Sequence, residues 1–117
     1  MILKRAEDLG RLVGQSEEYQ ALKRASDRMM ADPPLTQSLE RLQRLQLEIH
    51  ERLDRGEPPS AETQDELDRL MGTVQASPLY QGIVVAQAGF DKLMGRVNDQ
   101  ILGGIKLGAE SWIITLA

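Results

Sequence analysis

The chain has 117 residues, 41% of them hydrophobic, no cysteine, and a formal net charge of −4 from 14 basic and 18 acidic side chains. That length bounds it to one domain, and the acidic balance argues against the clustered Lys and Arg needed to neutralise a phosphate backbone. Absence of cysteine excludes disulfides, cysteine-type zinc sites and thiolate-held iron–sulfur clusters.

Tyr19, Tyr80, Phe90 and Trp112 are the only aromatics, so the apolar mass is Leu, Ile, Val, Met and Ala. Such side chains suit interdigitating helices better than a β-sandwich. A chain with so few large side chains is expected to bury part of its apolar seam against a second copy, as a homodimer or higher oligomer. Met1 to Asp8 carries charge within four residues, unlike the apolar core of a signal peptide, and no stretch approaches the ~20 apolar residues that cross a bilayer. The expectation is a soluble, cytoplasmic protein.

In chain order, residues 3–13 read as a short helix with Leu3, Ala6, Leu9 and Val13 on one side, ended at Gly14. Ser16 is placed to cap a second helix over 17–31, with Glu17 and Glu18 against its positive end and Tyr19, Leu22, Ala25, Met29 and Met30 as its apolar set. Asp32 followed by Pro33 starts a third helix, about 34–55. Its residues Leu35, Leu39, Leu42, Gln46, Ile49 and Leu53 are spaced 4, 3, 4, 3, 4 and predict one seam. Gln46 either fixes register inside that seam or marks an exposed stretch of it.

Gly56 sits where a left-handed cap belongs, and Pro58-Pro59 prevents continuation. Ser60 caps a fourth helix over 61–76, with Leu67, Leu70, Met71 and Val74 inward. Ser77-Pro78 opens a fifth, about 78–102, carrying Leu79, Ile83, Ala86, Phe90, Leu93, Met94, Val97 and Ile101. Beside them Gly82, Ala86 and Gly89 form a smooth strip; glycine inside a helix costs about 1 kcal/mol against Ala, which predicts close approach of another backbone. The fold class expected is all-α, with the third and fifth helices as antiparallel arms of a hairpin-like bundle.

Residues 1–102 then form the helical domain and 103–117 an apolar tail, broken from the helix at Gly103-Gly104. Trp112, Ile113 and Ile114 in that tail call for burial on the chain's own body, on a copy or on a partner.

Chemistry is sparse. His50 is the only histidine; paired with Asp54 at i, i+4 it reads as a surface residue rather than a metal ligand. The acidic fourth helix, with Glu62, Asp65, Glu66 and Asp68, reads as a solvated face. Arg41, Arg44, Arg52 and Arg55 share a stripe on the third helix that either meets phosphate or an acidic partner, or forms a solvent face neutralised by Glu40, Glu51 and Asp54. No nucleophile with its base, phosphate-cradling loop or paired-carboxylate site is present in the pattern, so no enzyme and no cofactor are expected.

The run Ala6-Glu7-Asp8-Leu9-Gly10-Arg11-Leu12-Val13-Gly14-Gln15-Ser16-Glu17-Glu18-Tyr19 resembles the opening of the bacterial YlbF/YheA/YmcA family. So do Ala21-Leu22-Lys23, Ala31-Asp32-Pro33, Leu42-Gln43-Arg44-Leu45-Gln46 and Ala76-Ser77-Pro78-Leu79; Phe90, Leu93, Met94 and Val97-Asn98 match its last helix. The likeness covers about residues 6–102. It implies an all-helical, cytoplasmic, self-associating protein. In the best-known branch two members join a third, unrelated protein, and the complex influences competence, sporulation and biofilm formation and acts with ribonuclease Y in mRNA processing. Members of that complex have been linked to iron–sulfur clusters held by cysteine; with no cysteine here, that cofactor does not carry over.

The function expected from residues and resemblance together is a non-enzymatic regulatory adaptor acting through protein contacts. Leu39, Leu42, Gln46, Ile49 and Leu53, the Gly82/Ala86/Gly89 strip and Trp112, Ile113 and Ile114 are its candidate contact residues, with Leu47 as a possible second contact. The alternatives are direct RNA binding through Arg41, Arg44, Arg52 and Arg55, or an assembly protein recruited by its tail.

Overall fold

In the computed structural model the backbone is described for residues 1–116 and side chains for residues 1–110. Five helices follow one another: α1 (Ile2–Gly14), α2 (Glu17–Met30), α3 (Pro33–Asp54), α4 (Ala61–Ala76) and α5 (Pro78–Leu116). Among the described residues there is no strand. The fold is all-α, as composition and spacing predict.

The boundaries have local causes. Ser16 Oγ accepts from the Tyr19 N–H at 3.1 Å and donates to the Val13 carbonyl at 2.6 Å, tying the start of α2 to the end of α1. Ser60 Oγ accepts from the Thr63 N–H at 3.1 Å. Gly56, at φ 75°, makes the left-handed turn that lets the chain reverse after α3, and among the described residues it is the only glycine with positive φ. Gly14 therefore ends α1 without a left-handed cap, and Gln15 after it stays right-handed. Asp32 occupies the cap position of α3, but its side chain accepts no capping hydrogen bond.

Three expectations are corrected. First, helicity does not break at Gly103-Gly104: α5 runs through to Leu116. No proline interrupts this stretch, and Ile101, Leu102, Ile105, Lys106 and Leu107 offset the weak propensity of the glycines between them. Second, among the described residues α3 and α5 are not packed side by side. α5 packs chiefly along α2 and α3 chiefly along α4, because the Gly56 turn folds α4 back onto α3.

Third, the buried row of α3 is rotated from the predicted one. Leu45 is 1% exposed, whereas Gln46 is exposed and Leu53 is 57% exposed. Leu35, Leu42 and Ile49 belong to both rows, and intrahelical spacing does not choose between Leu45 and Gln46 as the residue between the latter two. Packing against α4 chooses Leu45.

Leu35, Leu45 and Val74 are the whole of the fully buried core among the described residues. Tyr19 and Phe90 lock α2 to α5 with ring centroids 5.9 Å apart, tilted by 60°. The molecule is elongated, 70 × 37 × 20 Å, with a radius of gyration of 21.7 Å. A compact chain of this length has a radius of gyration of about 13 Å.

Candidate interaction surface

An elongated helical body leaves apolar surface in water, and that surface is the first property of the candidate site. The accessible surface is 9116 Å² for a 13.1 kDa chain. A compact monomer of that mass exposes about 6,400 Å². Among the described residues the exposed large apolar side chains lie on α1, α2, α3 and α5, most of them at the start of α1 and along α5.

Along α1 the apolar residues Ile2, Ala6, Leu9 and Val13 recur at spacings of 4, 3 and 4, forming one stripe. Only the Leu9 and Val13 half is partly covered; Ile2 remains 83% exposed. Leu3, which the sequence reading placed on this side, is 84% exposed, so the first turn of α1 is uncovered on either count. Leu9 lies across a groove of about 370 Å³ from Val97 and Ile101 of α5, with Arg96 and Gln100 at its edge. Beyond Val97 every described residue of α5 is exposed, including Ile101, Leu102, Ile105 and Leu107.

The predicted contact residues are distributed unevenly. Leu39, Leu42 and Ile49 are half-buried. Gln46 and the exposed Leu47 line an outer shelf of α3 with Gln43, Arg44 and His50. Gly82, Ala86 and Val85 instead line a separate groove of about 620 Å³ between α2 and α5, walled by Arg24 and Arg28. A Cβ built at Gly82 or Gly89 meets nothing within 4 Å, so no other part of the described chain makes the close approach their strip predicts. The side chains of Trp112, Ile113 and Ile114 lie outside the described residues.

One member of the arginine stripe is engaged by hydrogen bonds, and two others lie near a carboxylate without bonding to it. Arg41 donates from Nε to Glu66 Oε1 at 2.8 Å and from its terminal nitrogen to Oε2 at 3.1 Å, a bidentate link from α3 to α4. Those hydrogen bonds, reinforced by the charge of the partner, hold the Arg41 pKa above and the Glu66 pKa below their ordinary values. Arg52 and Arg55 both lie near Glu57, at 3.8 and 3.9 Å. Of the four, Arg44 alone lacks a carboxylate partner among the described residues. His50 Nε2 lies 3.6 Å from Asp54 Oδ2, with both side chains well exposed.

Two contacts were missed from sequence. Gln20 Nε2 donates to the Gly14 carbonyl at 2.9 Å, and Gln81 Nε2 to the Gln75 carbonyl at 3.0 Å. Each glutamine stands four residues after a serine at the helix junction and satisfies a carbonyl freed at the end of the preceding helix. The repeated Ser-x-x-x-Gln spacing was the available signal.

The family described as "Control of competence regulator ComK, YlbF/YmcA" matches residues 2–106. Among individual proteins, a UPF0342 protein of Desulfitobacterium hafniense (strain Y51) is 28% identical over 97 residues, covering 83% of this chain and 74% of that protein. A UPF0342 protein of Leuconostoc citreum (strain KM20) is 22% identical over 98 residues, covering 84% and 83% respectively. Among the described residues no helix is long and apolar enough to cross a membrane.

Proposed function

The chain belongs to the YlbF/YmcA family, a family of regulators, and on that premise we propose that it is a non-enzymatic adaptor that self-associates and acts through protein contacts. One observation carries this reading: only three described side chains are fully buried, while apolar rows on α1 and α5 stand open to water. Burying such rows contributes roughly 25 cal/mol per Å². Another protein surface is the natural means of removing them from water.

The process served is mRNA processing with a ribonuclease and, through it, developmental control. The family resemblance supports this half of the reading. The arginine geometry favours contact with protein over direct contact with RNA, because Arg41 is committed to Glu66 and two further arginines approach Glu57.

The test is recovery of the tagged chain from its native cell under mild salt. Co-recovery of a ribonuclease or of other family members is the expected result. Recovery of the chain with copies of itself alone would reject the RNA-processing half of the reading.

A further inference from the structure

We infer that the groove between α2 and α5 walled by Arg24 and Arg28 receives an acidic amphipathic helix of a partner protein. The apolar side of that helix would rest on Ala25, Val85 and Ala86, and its carboxylates on the two guanidiniums. This deepens the protein-contact reading above by naming a surface and the chemistry it takes, and rests on that reading for its cellular meaning alone.

Arg24 and Arg28 stand four residues apart on α2, so both lie on the side that forms the groove. Like charges at that spacing repel each other. Arg28 lies in the last turn of α2, where the negative end of the helix favours a cation. Arg24, a turn earlier, gains nothing from that end. Both side chains are exposed, and among the described residues neither has a carboxylate partner. On α3, by contrast, Arg41 is held by Glu66.

The groove between the arginines and α5 holds about 620 Å³ and has a floor of small or apolar residues. Gln81 is its one uncharged polar side chain, and no acidic residue lines it. Val85 is 72% exposed and Val84 beside it 50%. Gln81 and Val85 also line the adjoining hollow with Tyr80, so the apolar surface continues around α5. Small side chains on the floor leave room for a third helix, since helix separation is set by the side chains at the contact.

Charge selects the occupant. A helix with carboxylates four residues apart meets both arginines in charge-assisted hydrogen bonds while its apolar side covers Val85. The net charge of −4 does not oppose this, because charges beyond about 8 Å are screened at physiological ionic strength and the groove itself holds no acid. Single-stranded RNA suits the groove less, as no aromatic ring lines it to stack a base. A second copy related by a two-fold axis through the groove would set two positive walls against each other. The groove beside Leu9 offers a single arginine, Arg96, and the α3 shelf only Arg44 with His50.

A phage-displayed library of short amphipathic helices, with a constant Ala/Leu side and randomised polar positions, is selected on the purified full chain. The wild type is expected to enrich Glu and Asp four residues apart. Arg24→Glu combined with Arg28→Glu is expected to reverse the preference to Lys and Arg, while Arg44→Glu on α3 leaves it acidic. The best acidic peptide, synthesised with a fluorescent label, is expected to bind the double variant and Val85→Asp at least about tenfold more weakly. Circular dichroism checks that helicity is retained. Should the charge-reversed chain lose it, Arg24→Gln with Arg28→Gln takes its place and is expected to abolish the acidic preference.

Selection of no peptide, selection without acidic preference, or a preference that survives these substitutions overturns the proposal. So does binding of oligouridine RNA that the same substitutions abolish, which would make the groove a nucleic-acid surface. A change in the mass of the double variant by light scattering would place a second copy in the groove and overturn it equally. These results concern the purified chain, so they stand apart from failure to recover a ribonuclease from cells.

Discussion

Arg41 on α3 grips Glu66 on α4 through two parallel hydrogen bonds, 2.8 and 3.1 Å long, across 25 residues of sequence. This pair joins the two helices whose facing residues supply much of the small core. It also removes a guanidinium from a surface stripe that would otherwise suit an anion.

The pair makes stability depend on pH in a defined sense. The hydrogen bonds from Arg41 lower the Glu66 pKa in the folded state. The contribution is therefore complete above the carboxyl's unfolded value, near its ordinary 4.5, and is lost as pH falls through the lower folded value. Glu66→Gln is expected to lower the denaturation midpoint at pH 7 and to flatten its fall on acidification. Urea titrations of both proteins from pH 7 to pH 3 check this; parallel curves over the whole range would contradict it.

The rotation of α3 is tested by truncation. Leu45→Ala is expected to cost roughly 2–5 kcal/mol, as for fully buried leucines. Leu53→Ala, at a position 57% exposed, is expected to cost well under half of the Leu45 value. Chemical denaturation measures both. Equal losses would restore the row through Gln46 and Leu53.

The glycines of α5 give a prediction of opposite sign. A methyl at Gly82 or Gly89 meets nothing within 4 Å in the described chain. Substitution with Ala is then expected to stabilise the helix by up to about 1 kcal/mol. A lower thermal midpoint in Gly89→Ala, accompanied by loss of oligomer, would mean that a partner covers this strip as well.

Capping distinguishes the helix junctions. Ser60 accepts from the Thr63 N–H, so Ser60→Ala is expected to cost about 1 kcal/mol. Asp32 makes no such bond, and Asp32→Ala should cost distinctly less. Thermal unfolding of the two variants side by side makes the comparison.

Much of the fold was legible because its causes are local. Ser16, Ser60, Gly56 and the prolines at 33, 58, 59 and 78 placed the helix boundaries within a residue or two. Gly103-Gly104 misled, because two weak helix formers do not stop a helix that lacks proline and a positive φ. The contact surface was less legible. Ile101 appeared in sequence as one more member of a core row, and its exposure depends on where α2 begins alongside α5, which periodicity does not encode.

Sequence by itself determined the helical class, the starts of helices α2 to α5, the serine caps at Ser16 and Ser60 and the family to which the chain belongs, since each follows from neighbours a few residues apart. Tertiary structure alone decided that Leu45 and not Gln46 turns inward, that α3 pairs with α4 and α5 with α2, and that Arg41 spends its charge on Glu66. Those choices are made between residues far apart in the chain. Periodicity establishes which residues share a face, but the packed neighbour establishes which face is buried.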